Sequence, residues 1–113
     1  MDTPFQLVII NNPDTNENIR IDFHHLRKSS LTLRALNHKL RQQLLRLLDE
    51  HHKMTVTEIF VKLRLEQSVV SQHLATLRRA QIVLAHKEGK FVFYSVNYKR
   101  VKEINNFVEQ LVG

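Results

Sequence analysis

The segment from Gln67 to Ala80 carries side chains that are suited to reading a nucleic acid. Val70, Leu74 and Leu77 recur at helical spacing, which predicts a helix with one stripe buried against a core. The opposite stripe carries short hydrogen-bonding side chains and a cation, namely Ser68, Ser71, Gln72, Thr76 and Arg79. Such groups can bond base edges and phosphates in a groove wide enough for a helix. The stripe is therefore a candidate surface for contacting DNA.

Two strand-prone runs follow this helix, at residues 82–87 and 90–96. Both are rich in β-branched and aromatic side chains, and they meet at Glu88-Gly89, where glycine suits a tight turn. The pattern predicts an antiparallel hairpin. Three basic side chains would lie beside its turn, and these are His86, Lys87 and Lys90.

Together these motifs resemble the ArsR-type winged helix-turn-helix repressors. The resemblance depends on Gln-Ser-x-x-Ser-x-His-Leu at residues 67–74, on Leu-Arg-x-Ala-x-x-Val at residues 77–83, and on an aromatic-x-aromatic-Tyr sequence that ends at Tyr94. It covers about residues 31–111 and leaves the first thirty residues outside. The resemblance implies a mainly α fold with a β-hairpin wing, in which the third and fourth helices form the helix-turn-helix. It also implies a homodimer that binds double-stranded DNA.

By this resemblance, the DNA-binding residues lie on the fourth helix and on the wing. Gln72 can make a bidentate contact to adenine, whereas Arg79 and the wing lysines are better placed to hold phosphates. His73 precedes the core residue Leu74, and it could contact a phosphate or bond the neighbouring backbone. The expected DNA-binding residues are Gln67, Ser68, Ser71, Gln72, His73, Thr76, Arg79, His86, Lys87 and Lys90.

The charge balance of the chain favours a polyanionic partner. Its 113 residues include 17 Lys and Arg against 11 Asp and Glu, which gives a formal net charge of +6. Six cations and two carboxylates lie between Lys62 and Lys90, so this third of the chain carries +4 of that charge. On charge alone, a basic face that is merely solvated explains the pattern equally well. Its coincidence with the predicted helix and hairpin favours DNA binding.

The N-terminal extension is compatible with two structures. Residues 5–10 are strand-prone, and residues 11–18 are dense in turn formers. Apolar and polar residues then alternate through Phe23, so we expect a β-hairpin. A helix capped by Asp14 and Glu17 is the alternative.

Helical periodicity predicts two helices before the helix-turn-helix. The first runs from about His25 to Leu36, and the second buries residues such as Leu44. Asn37 can cap the second helix, and Arg41 should face outward from it. We therefore divide the chain into an extension at residues 1–24 and one winged-helix domain, for DNA binding and dimerisation, at residues 25–113.

Two sequence signals mark the starts of the next helices. Thr55 and Glu58 have the spacing of a capping box, which predicts the start of the third helix. Glu66 stands at the N-cap of the fourth helix, where a carboxylate suits the helix dipole but repels nearby phosphates.

The last helix, from Tyr98 to Leu111, carries an apolar stripe that needs to be covered. Val101, Ile104, Val108 and Leu111 follow a 3-4-3 spacing, and the stripe could pack on its own domain. The resemblance instead implies dimerisation through the first and last helices. The expected dimerisation residues are Leu26, Leu33, Val101, Ile104, Val108 and Leu111.

Metal, redox and enzymatic chemistry are poorly supported. The chain has no cysteine, and none of its seven histidines shows the i, i+4 spacing of a helical metal clamp. We expect no cofactor and no metal site, although histidines could meet across two subunits. Ser71 and His73 project in different directions on a helix, and no glycine-rich phosphate loop is present, so we expect no catalytic residues.

The resemblance therefore implies a dimeric transcriptional repressor, and a dimer that presents two such helices should bind a near-palindromic operator. No secretory signal or apolar stretch of the ~20 residues of a membrane span is present, so we expect a cytoplasmic protein. A winged-helix protein-interaction module is the rival interpretation, and a metal-responsive repressor using histidines is a closer variant. The effector could be a small organic ligand, a protein partner, or a proton or metal sensed by histidines, or be absent.

Overall fold

The computed structural model describes residues 7–113 as two β-hairpins and five helices. In this part of the chain the elements are β1 (Leu7–Asn11), β2 (Asn18–Asp22), α1 (Phe23–Leu36), α2 (Lys39–His51), α3 (Val56–Leu63), α4 (Gln67–Arg79), β3 (Val83–Glu88), β4 (Phe91–Val96) and α5 (Tyr98–Val112). The chain divides into two compact units, one up to Leu33 and one from Arg34 to Gly113. The predicted fold class, a mainly α winged helix with an additional N-terminal hairpin, is confirmed.

The N-terminal hairpin pairs β1 with β2 in antiparallel register, with Ile10 opposite Ile19. Its turn passes through Asn16, which has a φ of 61° and donates its N–H to the carbonyl of Asn12 at 2.8 Å. Asparagine tolerates this left-handed conformation better than most residues. The alternating pattern therefore forms the hairpin and not the capped helix. Residues 5 and 6 of the predicted strand lie outside the described residues.

Helix α1 begins at Phe23, two residues before the expected start. The reason is Asp22, whose Oδ1 accepts hydrogen bonds from the N–H groups of His24 at 2.9 Å and His25 at 3.2 Å. These amides have no partner within the helix, so a carboxylate before them stabilises an earlier start.

The second unit has an aliphatic core that fixes which faces of its helices remain exposed. The fully buried side chains come from α2, α3, α4 and the start of the wing, and they are Leu44, Leu48, Ile59, Val70, Leu74, Leu77, Ile82 and Val83. Three of them belong to α4, which therefore presents one stripe to the core and the other to solvent.

The starts of α2 and α3 differ in how well the sequence predicted them. The capping box is confirmed, because Thr55 Oγ1 accepts the N–H of Glu58 at 3.2 Å and Glu58 Oε1 accepts the N–H of Thr55 at 2.9 Å. The expected cap of α2 by Asn37 is wrong. The N-cap is His38, whose Nδ1 accepts the N–H groups of Leu40 and Arg41.

The wing is the antiparallel pair of β3 and β4, with a turn at Gly89, which has a φ of 62°. Such a conformation favours glycine. Met54, immediately before α3, also pairs with Tyr94 of β4, and their backbones exchange hydrogen bonds of 3.0 Å and 2.8 Å. The wing is thus attached to the segment that leads into the helix-turn-helix.

Helix α5 follows the wing and uses only part of its apolar stripe within the chain. Ile104 is 6% exposed, whereas Leu111 is 68% exposed. Among residues 7–113, no helix has both the length and the apolar character needed to span a membrane.

Candidate nucleic-acid interface

The polar stripe of α4 lies on the surface, as its spacing predicted. The buried Val70, Leu74 and Leu77 hold the other side of the helix against the core, so the polar side chains cannot turn inward. The exposed members of the stripe are Gln67, Ser68, Ser71, Gln72 and Arg79, and Thr76 is half-buried. This row of donors and acceptors is what a helix needs to contact base edges in a major groove.

A tight turn joins α3 to α4. Arg64 ends α3 in the left-handed region, with a φ of 56°, and the N–H of Leu65 bonds the carbonyl of Phe60 at 3.0 Å. Glu66 is the N-cap of α4 but makes no side-chain capping bond. The first amides of α4 therefore keep free hydrogen-bonding capacity at the end that the resemblance directs toward DNA.

Thr76 and Arg79 are linked on the surface of α4. The Thr76 hydroxyl donates to the carbonyl of Gln72 at 3.2 Å and accepts from Arg79 Nη2 at 3.3 Å. The hydroxyl is thus occupied locally and is less available for a base. It holds the Arg79 guanidinium near the helix, where a cation can meet a phosphate.

A shallow depression of about 370 Å³ lies beside the polar stripe and is lined by Ser71, Ala75, Arg78, Arg79 and Tyr94. Two guanidinium groups, a serine hydroxyl and a phenol at its edge can together bond the oxygens of a phosphate. Arg78 was not among the expected DNA-binding residues. Its position next to Arg79 in the sequence was the available signal.

The wing presents the three expected basic residues, His86, Lys87 and Lys90, all of which are exposed. One of them is paired within the protein, because His86 Nε2 lies 3.1 Å from Glu88 Oε2. Lys53, between α2 and α3, also reaches this carboxylate, with its Nζ 2.7 Å from both oxygens. Sequence reasoning missed Lys53, which is 35 residues from its partner.

The family follows from comparison with known proteins. A family model described as bacterial regulatory protein, arsR family, matches residues 38–84. An uncharacterised HTH-type transcriptional regulator from Methanocaldococcus jannaschii is 38% identical over 84 residues, which cover 74% of this chain and 94% of that protein. The chain belongs to the ArsR family. This ArsR-family protein is therefore a DNA-binding transcriptional regulator and not an enzyme.

Two further relatives are named for opposite effects on transcription, one as a repressor and one as an activator. The transcriptional repressor PagR of Bacillus anthracis is 31% identical over 85 residues, covering 75% of this chain and 85% of PagR. Its crystal structure has a TM-score of 0.61 at 29% identity, with 75% and 98% of the two chains covered. The transcriptional activator HlyU of Vibrio cholerae is 36% identical over 84 residues, covering 74% and 77%. Its solved structure has a TM-score of 0.60 at 34% identity, with 77% and 94% covered.

In this ArsR-family regulator, His73 does not lie with the other expected DNA-binding residues. Its Nδ1 is 3.2 Å from Nη1 of Arg41, and its ring centroid is 4.7 Å from that of His38. Burial lowers the pKa of His73, and the neighbouring His38 and Arg41 lower it further. These contacts are within the protein, although with side chains and not with the neighbouring backbone. Arg41, which was expected to face outward, turns toward α4 instead.

His38 and His73 lie together in the regulator, but two histidines alone do not complete a metal site. Within residues 7–113 there is no group of three or more histidine, aspartate or glutamate side chains placed to hold a metal ion.

Proposed function

We propose that this regulator represses transcription as a homodimer that occupies a near-palindromic operator and blocks RNA polymerase. The observation that supports the proposal best is the exposed polar stripe of α4, which adjoins a depression lined by Arg78 and Arg79. A surface of this kind joins base-reading groups to phosphate-binding groups, and both are needed for sequence-specific binding.

The individual contacts divide by chemistry. Gln72 reads adenine through its amide, and Ser68 and Ser71 bond bases or phosphates. Phosphates are held by the cations, which are Arg78, Arg79, Lys87 and Lys90. We leave His73 out of the proposed contacts because its imidazole is already bonded to Arg41.

Dimerisation is proposed through the first and last helices. Leu26 of α1 and Leu111 of α5 are 57% and 68% exposed, and Leu33, Val101 and Val108 are half-buried. Ile104 is buried within its own chain and contributes to folding. A two-fold dimer presents two α4 helices about 34 Å apart, one turn of DNA, which is why the operator should be near-palindromic. The proposal keeps residues 1–24 as an extension of the winged-helix domain at 25–113 and places the protein in the cytoplasm.

Binding to a fluorescent duplex that carries the DNA upstream of the protein's own gene tests this proposal. We expect binding that an excess of about tenfold of scrambled duplex does not displace. The affinity should weaken with the logarithm of salt concentration, with a slope of about −0.9 for each phosphate contacted. Equal retention of both duplexes would contradict sequence-specific binding.

Two variants separate base contacts from phosphate contacts. Gln72→Ala should reduce the preference for the specific duplex by roughly 1–3 kcal/mol, because a bidentate base contact is lost. Arg79→Ala should weaken binding to both duplexes and reduce the salt slope by about one. Gln43→Ala is the matched control, since Gln43 is an exposed glutamine on α2. Transcription from the same upstream DNA should fall when the protein is added, and a rise would identify an activator.

A further inference from the structure

Arg41 connects three parts of the second unit with one guanidinium group. Its Nε donates to the carbonyl of Ala35 at 2.7 Å, and its Nη2 donates to the carbonyl of Arg34 at 3.0 Å. The remaining nitrogen, Nη1, bonds Nδ1 of His73 on α4 at 3.2 Å. The side chain at the start of α2 therefore joins the end of α1 to the helix that faces DNA.

His38 completes the cluster by capping α2 and packing on His73. Its Nδ1 accepts the N–H of Leu40 at 3.1 Å and the N–H of Arg41 at 3.4 Å. Its ring lies against that of His73, with centroids 4.7 Å apart and planes inclined by 44°. The cap of α2 and the contact with α4 thus use the same imidazole.

The hydrogen bonds identify Nδ1 as the acceptor in both rings. Backbone N–H and guanidinium groups can only donate, so Nδ1 of His38 and Nδ1 of His73 must both be acceptors. In this arrangement Nδ1 carries no proton in either ring. A proton added to either Nδ1 would point an N–H at another N–H, and the hydrogen bond would be lost.

We propose that His38, Arg41 and His73 form a proton-sensitive clasp that positions α4 for DNA binding, so that acidification weakens binding to the specific duplex. The inference rests on the proposed function of α4 as the recognition helix. Protonation of His73 breaks its bond to Arg41 and sets the charge of an imidazolium against that of the guanidinium.

The groups around His73 disfavour its protonated form in the folded protein, as the proposal requires. The groups that lower its pKa, after burial itself, are His38 and Arg41, both from the start of α2. Of the described elements packed on α4, α3 and β3 contribute no charge that shifts this pKa. Because the pKa is lowered on folding, the contribution of His73 to stability is complete above the ordinary histidine pKa of about 6.5. That contribution is lost as the pH falls below this value toward the folded pKa.

Ordinary electrostatics predicts the opposite result, which makes the proposal easy to test. Protonated histidines add positive charge and strengthen attraction to phosphates. An affinity that falls in acid therefore points to the clasp and not to net charge.

The test compares binding to the upstream duplex at about pH 8 and about pH 5.5 by fluorescence anisotropy. For the unaltered protein we expect roughly fivefold weaker specific binding in acid, the factor that corresponds to loss of one net hydrogen bond, here the bond between Arg41 and His73. His73→Gln keeps an acceptor for Arg41 but cannot be protonated in this range, and its loss should be less than about twofold. His51→Gln, at an exposed histidine near the end of α2, is the control and should keep the loss in full. Tighter binding in acid, or the same loss in His73→Gln, would overturn the proposal.

A measurement without DNA separates failure of the clasp from failure of the proposed function. Urea unfolding should show greater loss of stability in acid for the unaltered protein than for His73→Gln, because glutamine keeps an acceptor for Arg41 without titrating. His73→Asn serves the same purpose if His73→Gln does not fold. Equal losses in the unaltered protein and the variant would overturn the clasp even if specific DNA binding is observed. A smaller loss in the variants would support it even if the upstream duplex is not bound.

Discussion

Glu88 at the tip of the wing is a negative charge on a surface that otherwise favours phosphates. Lys53 and His86 both pair with it, so an ammonium group and an imidazole near the proposed DNA path are already engaged within the protein. Lys53 also lies over the ring of Phe93, with Nζ 4.8 Å from the centroid. A phosphate must compete with the Glu88 carboxylate for these groups.

Removing this charge should strengthen binding to specific and scrambled duplexes alike. Glu88→Gln leaves Lys53 and His86 free for phosphates, so the dissociation constants for specific and scrambled duplexes should both fall, by severalfold at low salt. Glu109→Gln, which makes the same change on α5, should leave both constants nearly unchanged. The comparison is made by anisotropy across a salt series. A Glu88→Gln protein that binds no more tightly than the control would mean that the wing tip does not approach DNA.

At the scale of the element, helix α4 starts at an N-cap residue whose side chain does not cap it. Glu66 precedes the first free amides of α4 but makes no hydrogen bond to them. Its charge is favourable to the helix dipole, by about 0.3–1 kcal/mol. The same charge repels a phosphate that approaches the helix end.

Replacing this residue should improve folding slightly and binding more clearly. Glu66→Ser exchanges the dipole interaction for a true side-chain cap of about 1 kcal/mol, so the free energy of unfolding should rise by roughly 0.5 kcal/mol. DNA affinity at low salt should rise as well, because the repulsion is removed. Glu66→Gln removes the charge without adding a good cap and so isolates the electrostatic part. Urea unfolding and anisotropy check the two effects, and an unchanged affinity in both variants would place α4's first turn away from phosphates.

The helices and hairpins could be predicted because their patterns are local. The stripe of Val70, Leu74 and Leu77, and the capping box at Thr55, each lie within a few turns of one helix. The features that were missed depend on residues far apart in the sequence. Arg41 meets His73 across 32 residues and Met54 meets Tyr94 across the helix-turn-helix, and no periodicity encodes such contacts.

The same limit applies to the proposed DNA contacts. Spacing alone places Gln72 and Ser71 on one exposed stripe, and the structure agrees. Spacing did not show that Thr76 is tied to Gln72 and Arg79, or that Lys53 reaches the wing. Which polar groups are free is decided by the folded arrangement, since each hydrogen bond formed inside the protein removes a donor or acceptor from the surface.

At the scale of the whole molecule, the end of α5 exposes apolar side chains that a monomer would leave in water. Leu111 and Val112 are 68% and 79% exposed, and Phe107 is 46% exposed. Side chains of this size each gain about 1.5–3 kcal/mol on full burial. This surface supports the proposed homodimer and makes it testable without disturbing the core.

A charge placed on this surface should dissociate the dimer. Leu111→Asp buries no new charge within the chain, so the thermal unfolding of the monomer should change little, whereas a dimer interface would have to desolvate the carboxylate. Sedimentation equilibrium at micromolar concentration should show a shift from dimer to monomer. Asn106→Asp adds the same charge about 200° around the helix from Ile104 and should leave the dimer intact. Equal masses for the unaltered protein and Leu111→Asp would argue against α5 as the interface.

The backbone pair between Met54 and Tyr94 has a consequence for the DNA itself. Because the wing shares hydrogen bonds with the segment that enters α3, the distance between wing and recognition helix is set by the protein. If this distance does not match the width or curvature of a duplex, the DNA must deform to fit. The energy of that deformation depends on how easily each base-pair step bends. Flexible pyrimidine–purine steps beneath the wing would be favoured even where no side chain touches them. Selectivity of the regulator would then extend to base pairs that it only deforms.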